Sequence, residues 1–179
     1  MGAPAEREAM ERAKRVRLMI FDVDGVLTDG ALYMSDTGGE LKVFHVHDGH
    51  GLKMLQESGI EVAILSARRS RTVELRAAEL GIKIVEQGAA DKGAAFEQLL
   101  LRRQLQADAA AYMGDDLPDL PVLVRCGFAA TVPEAPLAVR ERVHYVTRAR
   151  AGRGAAREVC ELIMQAQETL QGAVRRQLA

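Results

Sequence analysis

Cysteine is scarce in this chain. The two that occur, Cys126 and Cys160, stand far apart with no Cys-x-x-Cys and no Cys/His spacing around them, which argues against a zinc site or a disulfide and for buried, reduced thiols. Charge of one sign is missing too: 24 Lys and Arg oppose 25 Asp and Glu, the formal net charge is -1, and no tract of like charge interrupts the sequence. Such a balance supplies no global attraction to nucleic acid, so an anionic ligand must be caught by a local site. No apolar run reaches the roughly 18 residues that a bilayer-spanning helix needs. The charged start, Met1 to Arg17, lacks the apolar stretch of a secretory signal. These absences predict a soluble, cytoplasmic protein without nucleic-acid or membrane partners, and no internal repeat points to an array.

At 179 residues and 48% hydrophobic content, the chain is long and apolar enough for one domain with its own core, spanning 1–179. Residues 1–14 or so read as a flexible N-terminal extension and about 171–179 as a mobile C-terminal tail. Between them, apolar strands alternate with helical spacing. A first strand runs into Phe21; the stretches 31–34 and 40–46, separated by Ser35-Asp36-Thr37-Gly38-Gly39, have the pattern of a β-hairpin. Then follow a helix over 50–58 ended by Gly59, a strand at 60–65, a helix at 71–80 closed by Gly81, a strand at 82–85 and a helix at 92–105. A strand at 109–113, a short helix at 118–124, a strand at 127–132, an edge strand at 145–146 and a long helix over about 154–170 complete the order. This alternation predicts an α/β fold with a largely parallel sheet covered on both faces.

Open parallel sheets place ligands beyond the carboxyl ends of their strands. The polar motifs fall there: Asp22-x-Asp24 after the first strand, Ser66-Ala67-Arg68 after the second, Asp91-Lys92 in the loop after the third, and Gly114-Asp115-Asp116 after the fourth. Asp22 and Asp24, spaced i and i+2, share a face if the strand continues through both, and two such anions persist best beside a cation; hard carboxylate oxygens suit Mg²⁺. Taken singly, each motif has a plainer reading. The Asp-x-Asp also fits a solvated turn, Ser66 a strand-end hydroxyl, Lys92 a solvated first-turn lysine, and Asp115-Asp116 before Pro118 a helix cap. His45, His47 and His50 allow a transition-metal reading, with His45 and His47 on one strand face, although no cysteine joins them.

In order, Asp22-x-Asp24, Ser66, Lys92 and Gly114-Asp115-Asp116-x-x-Asp119 resemble the four motifs of the haloacid-dehalogenase-like (HAD) phosphatase superfamily. More narrowly, DVDGVLTDG (22–30), FHVHDG (44–49), LSARRS (65–70), ADK (90–92), GDDLPDLP (114–121) and GRGAAREVC (152–160) resemble the capless, homotetrameric 3-deoxy-D-manno-octulosonate 8-phosphate phosphatases of lipopolysaccharide synthesis. The resemblance covers almost the whole chain. It implies a Rossmann-like three-layer domain with a hairpin inserted after the first strand and no cap domain. It also implies Mg²⁺ as cofactor, a sugar-acid phosphate as substrate, and a homotetramer in which a neighbouring subunit takes over the work of a cap.

Roles carry over position by position. Asp22 is the implied nucleophile and Asp24 the general acid and base; Ser66 and Lys92 hold the phosphoryl group. Asp22, the Asp24 carbonyl and Asp115 are the implied Mg²⁺ ligands, steadied by Asp116 and Asp119. Substrate contacts fall on Asp24, His45, Val46, His47, Asp48, Gly49, Lys53, Arg68, Arg76 and Lys92. Two positions depart from the pattern: His47 stands where the family carries arginine, and Ala67 where it carries glycine. The nearest alternative substrate is a nonulosonate 9-phosphate, which shares the α-keto acid head and terminal phosphate ester. An alternative of another class is a non-catalytic tetramerisation module, against which the complete set of acids, Ser66 and Lys92 speaks.

Overall fold

The computed structural model describes residues 4–176 and Leu178. Leu18, Met19, Ile20 and Phe21 form strand β1 (Leu18–Phe21), and all four are fully buried. Unbroken apolarity, with no polar alternation, is what a strand covered on both faces requires. β1 pairs in parallel with β4 (Glu61–Ser66) on one side and β6 (Ala110–Met113) on the other. The six-stranded sheet is completed by β5 (Ile84–Gln87), β7 (Phe128–Thr131) and β8 (Tyr145–Val146), in the order β5-β4-β1-β6-β7-β8, all parallel. The chain winds outward from β1 through β4 to β5, then crosses back to β6 and winds the other way. That reversal opens a crevice at the carboxyl ends of β1 and β6, where loops leave in opposite directions.

Helices α2 (Val46–Glu57) and α7 (Ala155–Ala166) pack on each other, with α1 (Pro4–Ala13) against α7. On the other side α4 (Lys92–Arg103) packs against β4 and α5 (Leu120–Leu123). α3 (Arg71–Glu79), the single-turn α6 (Leu137–Arg140) and α8 (Leu170–Arg176) complete the three-layer α/β domain. Among the described residues no helix is long and apolar enough to cross a membrane. Cys126 and Cys160 are free and buried, and burial pushes the Cys126 thiol up to about 12.

Five elements differ from the sequence reading. Residues 4–13, expected within a flexible extension, form α1, because Ala9 and Ala13 give it a small-residue face that is fully buried. The tail likewise holds α8, anchored by buried Ala173; residues 177 and 179 lie outside the described ones, as do 1–3. The long helix expected over 154–170 breaks after Ala166. Gln167 Nε2 there donates to the carbonyls of Ala13 and Val16, at 3.1 and 2.8 Å, and Glu168 takes φ 60°. A tertiary contact, with no glycine or proline at the break, ends that helix.

The hairpin is shorter than expected, with only β2 (Tyr33–Met34) and β3 (Glu40–Leu41) paired. Among the described residues no third strand adjoins it, and an isolated two-stranded ribbon gains little from extending. The chain then enters α2 at Val46, ahead of the expected start at His50, because Asp48 ties this turn down. Its carboxylate is buried and accepts from the backbone N–H groups of Gly154 at 3.0 Å and Arg157 at 2.8 Å. Asp48 thus caps α7 from across the structure, satisfying N–H groups that the helix leaves without internal partners. Asp48→Ala is expected to destabilise the protein by about 2 kcal/mol and lower its thermal midpoint by roughly 5 °C, with Asp48→Asn retaining part of the loss. Thermal melts of the two variants check this.

Candidate active site

The crevice predicted by the strand order is built from four chain segments. Asp22 directly follows β1, and its N–H donates to Met113 O at 2.9 Å, so the β1–β6 ladder delivers it to the sheet edge. The chain then turns over Gly25 (φ 82°), where an added Cβ would lie 2.1 Å from Asp115 Oδ2. Only glycine lets the first loop pass this close to the carboxylate from β6. Ser66 ends β4. Lys92 opens α4, whose first turn is capped by Asp91 accepting from Ala94 N at 2.9 Å.

Lys92 is the hub. Its buried ammonium lies 2.8 Å from Asp22 Oδ2 and 2.6 Å from Asp119 Oδ1. Tyr112 donates its hydroxyl to the same Asp119 oxygen at 2.5 Å. The other oxygen, Oδ2, accepts the N–H groups of Asp115 and Asp116 at 3.0 and 3.1 Å. Asp119 therefore orients the Gly114-Asp115-Asp116 loop and Lys92 together. Asp116, grouped by sequence with Asp119, is not drawn in: its exposed side chain accepts from Leu117 N at 2.8 Å, the helix-cap arrangement that the motif also permitted. Asp24 is half-buried beside Lys42, and Ser66 Oγ accepts from Arg68 N at 3.3 Å.

Burial raises Asp22 to about 6, with Asp119 adding to the rise and Lys92 opposing it. Burial likewise raises Asp115 to about 7, reinforced by Asp22, Asp119 and Asp116. For Lys92 burial pulls the other way, but Asp22 and Asp119 outweigh it and hold the ammonium above its ordinary value. Three carboxylates against one ammonium leave two negative charges in excess. Oxygens from Asp22, Asp115 and Asp119 lie within 4.8 Å of one another, the one such His, Cys, Asp or Glu group among the described residues. Hard oxygen donors with an excess of two charges fit a Mg²⁺ ion. The histidine reading finds no such support: His45 precedes α2 and His47 lies in its first turn, their rings edge-on with centroids 5.1 Å apart.

These groups face a cleft of about 280 Å³ walled by Asp22, Asp24, Ser66, Arg68, Lys92 and Asp115 among others. The remaining candidates for substrate contact lie elsewhere in the single chain. His45, Asp48, Gly49 and Arg76 line a separate, narrow crevice between α2 and α3; Val46, His47 and Lys53 are exposed along α2. Arg76 is tucked beneath α2, its guanidinium 5.9 Å from the Phe44 ring centroid and 2.8 Å from Glu79. A Cβ at Gly49 would lie 2.1 Å from that guanidinium. Sequence reasoning missed Tyr112, hidden within an apolar run, and Glu40 and Lys42, which read as the polar face of a hairpin strand.

The fold and this acid cluster define a HAD-class hydrolase. The chain superposes with a TM-score of 0.93 on a HAD-superfamily subfamily III A hydrolase from Legionella pneumophila, at 42% identity over 97% of this chain and 96% of that one. No protein-family model matches the chain. It is 46% identical over 170 residues to the 3-deoxy-D-manno-octulosonate 8-phosphate phosphatase KdsC of Yersinia pestis, covering 95% of this chain and 91% of that protein. The phosphatase of that name from Moraxella catarrhalis, solved with magnesium, phosphate and a KDO molecule, matches with a TM-score of 0.93 at 40% identity, over 95% of this chain and 98% of that one. The chain belongs to the 3-deoxy-D-manno-octulosonate 8-phosphate phosphatase family.

The raised carboxylates make a prediction for the metal-free protein. Asp22 at about 6 and Asp115 at about 7 bind protons more tightly folded than unfolded, where the ordinary value is 3.8. The folded state therefore holds the extra protons between these limits, and stability falls as pH rises through roughly 4 to 7. Mg²⁺ relieves the repulsion, so its effect on the thermal midpoint grows over the same range. Melts in EDTA and in MgCl₂ at a series of pH values should show this growth, and Asp115→Asn should remove most of it while stabilising the metal-free protein at neutral pH.

Proposed function

We propose that this protein is a Mg²⁺-dependent phosphatase that hydrolyses 3-deoxy-D-manno-octulosonate 8-phosphate to the free sugar acid and inorganic phosphate, in the cytoplasm, for lipopolysaccharide biosynthesis. The observation that carries this reading is the buried Asp22 carboxylate at the end of β1, with one oxygen on Lys92 and Asp115 across the cleft from it.

Asp22 attacks phosphorus: an aspartyl oxygen–phosphorus bond forms as the bond to the sugar O8 breaks. Asp24, on the same loop two residues on, gives a proton to the departing oxygen and later takes one from the water that hydrolyses the aspartyl phosphate. Lys92, held by Asp119, neutralises Asp22 and then meets the phosphoryl oxygens as charge redistributes, and the Ser66 hydroxyl supplies a further donor. The carboxylates of Asp22 and Asp115 and the Asp24 carbonyl would hold Mg²⁺, which when bound would neutralise the negative charge that otherwise opposes attack on a phosphate ester.

The proposed assembly is a homotetramer. The support for it is the hairpin's apolar side chains, Leu32, Met34, Leu41 and Val43, which are 49–62% exposed in the single chain. An apolar patch of this kind on a small domain marks an interaction surface. The exposed α2 residues singled out for substrate contact, Val46, His47 and Lys53, are proposed to act on a neighbour's cleft, whereas Asp48 is taken up in capping α7.

With KDO 8-phosphate, Asp22→Asn should lose activity by about 10³-fold or more while keeping its fold; substantial turnover by this variant refutes the nucleophile. The kcat/KM should exceed that for a nonulosonate 9-phosphate by at least about tenfold, a preference that side-by-side assays measure. Light scattering should give the mass of four chains, and a fully active monomer contradicts the assembly.

A further inference from the structure

Lys42 has no place in the motifs that carry the family resemblance, yet it reaches the active site. It follows β3 on an otherwise exposed hairpin, but its side chain is only 4% exposed. The ammonium is ion-paired with Asp24 Oδ1 and lies 3.5 Å from Glu40 Oε1. Arg68, from the loop after β4, contacts the same Glu40 oxygen at 2.7 Å and Asp24 Oδ2 at 3.6 Å. The Arg68–Glu40 contact is an ion pair outside hydrogen-bond angles, since Glu40 Oε1 has no hydrogen-bond partner.

Each oxygen of Asp24 thus faces its own cation, and Glu40 stands behind both. A lysine buried this far needs a compensating anion, and the hairpin is where the chain could most easily have left it in water. A carboxylate on a loop rotates about two side-chain bonds. Cations from two separate segments, one at each oxygen, fix its plane, and orientation of a proton donor is worth large factors in rate.

We propose that Lys42 is a positioning residue for phosphoryl transfer, holding Asp24 with an oxygen aimed at the leaving group while Glu40 and Arg68 brace the pair. The inference rests on Asp24 being the general acid. It makes the hairpin part of the active site of its own chain as well as a contact surface.

Leaving-group dependence tests it. kcat/KM is measured with 4-nitrophenyl phosphate, whose phenolate departs with little need of a proton, and with phenyl phosphate, whose phenolate needs one more. Neither ester carries a carboxylate or a sugar hydroxyl, so sugar recognition does not enter. Lys42→Met should lose about tenfold more with phenyl phosphate than with the nitrophenyl ester, and Lys42→Arg should recover most of that difference. The ratio between the two esters is independent of the fraction of enzyme folded, so a weakened hairpin cannot mimic the result. Equal losses with the two esters overturn the role of Lys42. Asp24→Asn is the reference: equal losses in that variant overturn the acid assignment and this inference with it, whereas biased losses there beside unbiased losses in Lys42→Met overturn the inference alone.

Discussion

The ion-paired triangle of Asp22, Lys92 and Asp119 is the constraint around which the rest of the site is arranged. Two carboxylates and an ammonium, all buried, meet at 2.8 and 2.6 Å. Desolvating such charges costs several kcal/mol per ion, and a buried ion pair seldom returns more than it costs. An apolar trio would serve a purely structural role better. What the triangle secures is position: Lys92 fixes the rotation of Asp22, and Asp119 fixes Lys92 while drawing in the N–H groups that place Asp115. Tyr112, donating from within β6, ties the triangle to the sheet. The excess of negative charge left over is a standing demand for a divalent cation, so affinity for Mg²⁺ and readiness for phosphoryl transfer arise from one electrostatic imbalance.

The sheet makes this crowding possible. Strands β1, β4 and β6 are adjacent and parallel, so their carboxyl ends bring Asp22, Ser66 and Asp115 to one edge, and α4 begins close enough for Lys92 to reach across. With the core below and loops above, the cleft opens to solvent, and among the described residues no further domain covers it. The hairpin after β1 partly compensates. Its outward side is apolar and exposed, while Glu40 and Lys42 turn inward to Asp24 and Arg68, so one short element presents opposite characters on its two sides.

Local pattern carried most of the sheet and its helices. β1, β4, β6 and β7 are built on apolar runs, with polar residues only at their ends, and those ends fall within a residue or two of the boundaries read from sequence; the acid motifs sit at the strand ends where they were expected. Illegible features were those decided by distant contacts. α1 has few strongly apolar residues and is held by two buried alanines; α7 ends because Gln167 bonds to the chain near Ala13 and Val16; Asp48 looks like a ligand for substrate but caps α7. Tyr112 and Lys42 belong to the same class. A tyrosine in an apolar run and a lysine in a hairpin carry no sign of what their polar ends will meet.

By itself, the amino-acid order determined which chemistry the protein can perform: hard acids, one lysine and one hydroxyl at the ends of successive parallel strands, with glycine where the first loop must pass close to a carboxylate. Those choices are local, governed by strand propensity, turn geometry and residue type. Only the tertiary structure decided how the charges pair, because pairing depends on ångström-scale distances between segments far apart in the chain. Asp119 holding Lys92, Lys42 reaching Asp24 and Asp48 closing α7 are partnerships that no spacing in the sequence encodes.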